Sequence, residues 1–212
     1  MHLLFDFDGT LANSFDCVID KANLLAEKFS FKTISSQEKE TLRNLSSIEV
    51  IRFLKVPKYK IPTLIFHMQK ELRTAMLDIK PFETLKSILE TLYADDKHIM
   101  GILTSNSLDN VTAWLRKNHM QHLFKFIHVE ATYFSKHHLI KKTLSKYKID
   151  KTKALYICDE TRDIDAASKN NIKTAAVTWG YNSEKTLLKS HPSFIIRKPN
   201  DLLDVINQQM RH

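Results

Sequence analysis

Asp6 and Asp8 are the residues of this chain best placed to do chemistry. They stand two apart in Asp6-Phe7-Asp8-Gly9-Thr10, so on an extended chain their carboxylates share a face. Like charges that close repel and raise a pKa, and a bound divalent cation relieves the repulsion. Three more polar clusters follow: Thr104-Ser105-Asn106, Lys136, and Asp159-Glu160-Thr161-Arg162-Asp163. An oxygen-rich set suits magnesium, which commonly takes one or two carboxylates together with substrate phosphate and water. It does not suit zinc, because no group of His or Cys joins it with ligand spacing. Each cluster also has a plainer reading. Asp-x-Asp-Gly alone is often a turn or a calcium loop, although the later ligand positions of a calcium loop are missing here. Thr-Ser-Asn after a strand commonly caps a helix. Lys136 alone is a surface lysine, and Asp159 and Asp163 alone are a helix cap and a solvated helix residue.

What joins the clusters is the elements that must carry them. The apolar run before Asp6 reads as a buried strand, broken by Gly9 and Thr10. Residues 14–79 read as almost wholly helical. Val18, Ala22, Leu25 and Phe29 keep helical spacing, and Pro62 suits the start of a helix over Thr63 to Leu77. From Pro81 onward, strands and helices alternate. Strands are expected over His98–Thr104, Phe126–Val129, Ala154–Cys158, Thr174–Thr178 and Phe194–Ile196. Helices are expected over Phe82–Leu92, Leu108–Asn118, Lys136–Tyr147, Arg162–Asn170 and Pro199–Gln208. This order implies an α/β fold, a Rossmann-like doubly wound parallel sheet with helices on both faces and right-handed crossovers. The sheet domain spans 1–13 and 80–212, interrupted by a helical insertion at 14–79. In such sheets, ligands bind outside the carboxyl ends of the strands. Asp6, Thr104 and Asp159 fall at three such ends, and Lys136 opens a helix.

The bulk numbers agree with a soluble globular protein of one main core. The chain has 212 residues, 43 % apolar and 26 % charged, enough for a sizeable core with a small insertion. The net charge of +8 is spread along the chain. With no zinc-finger spacing and no arginine-rich tail, it argues for a solvated surface that attracts anions and against nucleic acid. The two cysteines, Cys17 and Cys158, form no close pair, which suits a reduced, cytoplasmic chain. The apolar start Met1–Phe5 is too short for a signal peptide, and no run approaches the ~20 apolar residues of a membrane span. Glycine is scarce, at three residues, and one of them follows Asp8 directly.

Taken together, these residues resemble the haloacid dehalogenase-like (HAD) hydrolases, most closely their phosphoglycolate-phosphatase-like branch. Phe5-Asp6-Phe7-Asp8-Gly9-Thr10-Leu11 is similar to the first motif of that family, Thr104 to the second, Lys136 to the third, and Asp159 with Asp163 to the fourth. Asp163-Ile164-Asp165-Ala166-Ala167 and the stretch from Ala176 to Asn182 are similar as well. The resemblance implies a phosphatase acting on a small phosphorylated metabolite, such as a phosphoglycolate-like one. Asp6 is implied as the nucleophile that forms an aspartyl-phosphate, and Asp8 as the acid that protonates the leaving oxygen and later activates water. Thr104, Ser105 and Lys136 are implied to bind the phosphoryl group. Asp6, Asp8 through its carbonyl, and Asp159 are implied to hold Mg2+, with Asp163 in support. Asp8 also separates subclasses, since dehalogenases of the family lack an acid there. Two departures stand out: Cys158 replaces a glycine usual before Asp159, and Lys80-Pro81-Phe82-Glu83 lacks a glycine often found at that hinge. The insertion would be a cap that closes over the site, with Arg43 and Arg52 either reaching substrate or solvated. The rival functions are a phosphomutase on the same scaffold and a non-catalytic phosphate-binding regulatory module. The oligomeric state is left open.

Overall fold

The strands are nearly unbroken apolar runs, as strands covered on both faces must be. In the computed structural model, which describes residues 1–130 and 136–210, they are β1 (His2–Phe5), β2 (Ile99–Thr104), β3 (Phe126–Val129), β4 (Ala154–Cys158), β5 (Lys173–Val177) and β6 (Phe194–Ile196). All neighbours pair in parallel, in the order β3-β2-β1-β4-β5-β6. The chain builds outward from β1 to β3, then returns to place β4 on the other side of β1. Asp6 and Asp159, the residues just after β1 and β4, therefore flank the point where the winding reverses, the usual ligand position in such sheets.

Between β1 and the rest of the sheet lies the helical insertion. It contains α1 (Phe15–Phe29), α2 (Lys39–Arg43), α3 (Ser47–Phe53) and α4 (Ile61–Ala75). Its elements start and stop for local reasons. Ser30 closes α1 in the left-handed region, with φ 58 and its N–H on the Ala26 and Glu27 carbonyls. Ser46 and Glu49 form a reciprocal capping box on α3. Pro62 sits in the first turn of α4. The insertion has its own apolar cluster, in which Ile19, Leu25, Phe29, Leu42 and Leu54 are buried. Its two connections run side by side: Asn13 N donates to Lys80 O at 3.0 Å, and Ala12 bridges Pro81 in antiparallel fashion. Trp114 Nε1 anchors the second connection by donating to Ile79 O at 2.7 Å.

The remaining helices are α5 (Leu85–Ala94), α6 (Leu108–Lys117), α7 (Lys136–Lys146), α8 (Thr161–Ser168), α9 (Glu184–Leu188) and α10 (Asp201–Met210). The period-2 alternation of the strands sorts them into two layers. Leu3, Phe5, Ile102, Leu155 and Ile157 pack with Leu89 of α5, Trp114 of α6 and Ile206 of α10. Leu4, Leu103, Tyr156 and Cys158 pack with Ile140 of α7, Ile164 of α8 and Leu187 of α9. Cys158 is thus a buried core thiol, free of any disulfide, which is how a small apolar side chain replaces a glycine at that place.

Some expected boundaries move. The helix expected from Phe82 begins at Leu85, because Thr84 adopts φ 63 and cannot continue a right-handed turn. The helix expected from Pro199 begins at Asp201, whose carboxylate accepts from Lys198 N at 3.1 Å. The short helix α9 was not foreseen. Among the described residues, no helix is long and apolar enough to cross a membrane.

Candidate active site

The carboxyl edge of the sheet gathers the expected residues from β1, β2, β4 and the first turn of α7. Asp6, Asp8, Thr104 and Ser105 all line one cavity of about 240 Å³ under the insertion. Lys136 lies beneath it, buried, and donates from Nζ to Asp6 Oδ1 at 2.7 Å while standing 3.1 Å from Asp163 Oδ1. Asp159 is also buried, close enough to Asp6 for the two charges to interact. Its Oδ1 accepts from Thr10 Oγ1 and its Oδ2 from Tyr181 N, both at 2.7 Å.

Two of the three glycines exist to let the chain approach Asp159. Gly9 has φ +76, and a Cβ there would lie 2.1 Å from Asp159 Oδ2. A Cβ on Gly180 would lie 2.3 Å from the same oxygen. The glycine after Asp8 is therefore required both by its left-handed backbone and by the neighbouring carboxylate.

Thr104, at the end of β2, accepts from Asn106 N through Oγ1 at 2.9 Å. Its turn also frames Ser105, whose carbonyl accepts from Gln69 Nε2 of α4 at 3.4 Å. Asn106 in turn donates to Asp8 Oδ2 at 2.9 Å and accepts from Asn110 Nδ2 at 2.9 Å. The other oxygen of Asp8, Oδ1, is buried without a hydrogen-bond partner.

Burial dominates the electrostatics. It pushes Asp6 up to about 7, with Lys136 pulling the other way and Asp163 adding to the rise. Burial raises Asp8 too, with the Asn106 and Ser14 side chains beside it opposing the rise. Asp159 is held well above the ordinary range by burial and then by Asp6 and Glu160. Burial works against the Lys136 ammonium, yet Asp163 and Asp6 outweigh it and keep the lysine charged. Carboxylates forced together in this way favour a cation among them.

Several participants were missed from sequence. Asn106 stood in a cluster already singled out but carried no role there. Tyr156 donates its hydroxyl to Asp163 Oδ1 at 3.2 Å, and a tyrosine inside an otherwise apolar strand was the available signal. Glu160 joins insertion to core: its Oε2 accepts from Ser47 Oγ at 2.5 Å, and its Oε1 accepts from Arg162. Arg43 does not reach the cavity. It donates to Thr178 O at 2.9 Å and lies over the Phe15 ring, pinning the insertion down.

This arrangement coincides with a known family. The sequence pattern described as haloacid dehalogenase-like hydrolase matches residues 3–177. The chain belongs to the haloacid dehalogenase-like hydrolases. This HAD-like chain is 29 % identical over 209 residues to the phosphoglycolate phosphatase of Synechococcus elongatus, covering 99 % of this chain and 98 % of that protein. It is 24 % identical over 212 residues to the pyrophosphatase PpaX of Listeria welshimeri, covering 98 % and 96 %. A haloacid dehalogenase-like hydrolase of Streptococcus pneumoniae shares its fold, with TM-score 0.79 at 20 % identity over 96 % of this chain and 97 % of that one. The resemblance to the phosphoglycolate-phosphatase-like branch holds, and the chain is an enzyme, a HAD-like phosphatase.

Proposed function

We propose that this enzyme hydrolyses phosphomonoesters of small metabolites, with Mg2+, through a phosphorylated Asp6. The observation that carries the reading is that Asp6, on the floor of a cavity that also receives Asp8, pairs through Oδ1 with the buried Lys136 ammonium. Lys136 opposes the burial that raises Asp6 and offsets the charge of an arriving phosphate. The Asp6 carboxylate attacks phosphorus, and the bond from phosphorus to the ester oxygen breaks. Asp8 passes its proton to that oxygen, and the alcohol leaves. Water then attacks the aspartyl-phosphate, Asp8 takes its proton, and inorganic phosphate leaves with Asp6 regenerated. The raised pKa of Asp8 suits this role, since an acid must hold its proton until the leaving oxygen needs it. Thr104 and Ser105, which line the same cavity, would hold the phosphoryl oxygens.

Asp6, Asp159 and the Asp8 carbonyl would hold the magnesium, with Asp163 fixing Lys136. Among the described residues, no group of three or more His, Cys, Asp and Glu forms a metal cage. Magnesium needs none, because water and substrate phosphate complete its octahedron. The donor set fits: the oxygens are hard, Asp6 raises the pKa of Asp159, and the missing side chains of Gly9 and Gly180 leave room at Asp159 Oδ2. Bound there, magnesium would neutralise charge on the phosphoryl oxygens. In this reading residues 14–79 form the cap and 1–13 with 80–212 the catalytic core. Phosphate release from a panel of phosphomonoesters, with and without magnesium, tests it. No release from any ester, or undiminished release by Asp6→Asn, would sink the mechanism.

A further inference from the structure

The cavity above Asp6 has two unlike walls. Its floor is polar, with Asp6, Asp8, Thr104, Asn106 and Arg162. Its roof belongs to the insertion and is aliphatic: Val18 of α1, Ile51 of α3, and Leu64, Ile65, Met68 and Leu72 along α4. Among the described residues lining it, the insertion contributes no Lys, Arg or His, and Gln69 is its one polar group. Gln69 Nε2 reaches Ser105 O across the cavity.

The α4 residues recur at helical spacing, so they form one face. Such a stripe ordinarily marks a helix sunk in a core. Here α4 has 15 residues and none of them is buried. Its apolar face instead looks partly into the cavity, so its burial is left incomplete. A ligand group laid against it would finish that burial. A carboxylate on the leaving group would be stripped of water there with no insertion cation to receive it, which is costly. The floor's Arg162 is already engaged by Glu160. An apolar alcohol would lose nothing and gain the whole roof.

Resting on the phosphatase reading above, we propose that the enzyme selects phosphomonoesters of uncharged, apolar alcohols, seated against α4. Anionic esters of the phosphoglycolate type are then poor substrates.

The test is kcat/KM for n-alkyl phosphates from methyl to hexyl, whose alcohols leave with nearly the same pKa, beside phosphoglycolate. We expect a rise of about threefold to fourfold per methylene, and hexyl phosphate at least tenfold over phosphoglycolate. Met68→Lys should flatten the series and raise phosphoglycolate relative to hexyl phosphate about tenfold, while Met68→Leu keeps the trend. A flat series with phosphoglycolate preferred, abolished by Asp6→Asn, would overturn the apolar class and leave the phosphatase reading standing. No release from any ester would overturn that reading instead. Calorimetric titration with methylphosphonate and hexylphosphonate then decides the apolar site: tighter hexylphosphonate sustains it, and equal affinities overturn it.

Discussion

Asn106 Nδ2 donates to Asp8 Oδ2 at 2.9 Å, while Asp8 Oδ1 is buried with no hydrogen-bond partner. One oxygen is thereby held, and in the proposed mechanism the other exchanges a proton with the leaving group. Asn106 is itself fixed by Asn110 Nδ2 and by Ser107 N at 2.8 Å. Asn106→Ala should lower kcat by roughly tenfold to a hundredfold, part of what a positioned acid supplies. The loss should be smaller for an aryl ester, whose leaving oxygen needs less help from a proton. A uniform loss for alkyl and aryl esters would assign Asn106 to structure alone.

Asp8→Asn keeps the hydrogen-bonding shape and removes the proton. Turnover of alkyl phosphates should fall by roughly a hundredfold or more. The first step on an aryl ester should survive better than hydrolysis of the phosphorylated enzyme, so aspartyl-phosphate should accumulate. Acid quench and mass measurement of the chain would detect the added phosphate on Asp6.

Lys136 is buried between Asp6 and Asp163. Lys136→Met leaves two buried carboxylates with no ammonium and should cost about 3 kcal/mol or more of stability. Denaturant unfolding reads that loss. Adding Asp163→Asn to Lys136→Met should restore part of the stability but none of the activity, because Asp6 still lacks its partner.

In metal-free protein, stability should fall as pH rises. Asp6 is lifted to about 7 by burial, with Lys136 and Arg162 opposing and Asp163 adding, and Asp159 is lifted by burial and by Asp6. A folded pKa above the unfolded value of about 3.9 means that the folded state keeps the proton longer. The contribution is therefore complete below that value and lost as pH climbs through about 7. Melting temperatures in EDTA should drop between pH 5 and pH 8, and magnesium should reverse most of the drop. Identical pH profiles with and without magnesium would contradict a cation between Asp6 and Asp159.

Gly180→Ala would drive a Cβ to 2.3 Å from Asp159 Oδ2 and 2.4 Å from Gly9 O. Because backbone stands on one side, the carboxylate must turn. The half-saturating magnesium concentration for activity should rise about tenfold or more, the scale on which groups around metal ligands act. Unchanged magnesium dependence would mean that Asp159 does not serve the metal.

Much of this site was legible in the order of residues, because a parallel sheet delivers its strand ends to one edge whatever the surface does. Asp6, Thr104 and Asp159 each follow an apolar run, and those runs became β1, β2 and β4. Lys136 opens α7 as expected. What spacing did not reveal are contacts made across long stretches of chain. Thr10 reaches Asp159, and Ser47 reaches Glu160, 149 and 113 residues away. Sequence leaves Arg43 open between substrate and solvent, and the fold uses it for neither: it donates to the Thr178 carbonyl.

By itself the sequence determined the fold class and which polar residues reach the carboxyl edge of the sheet, since strand and helix periods are local properties of a chain. The tertiary structure decided how those residues are charged, because burial and the distance from Asp6 to Lys136 arise only on folding. It also decided what the apolar stripe of α4 faces. Helical spacing shows that such a stripe exists. Only packing shows that it roofs a cavity and leaves its burial unfinished.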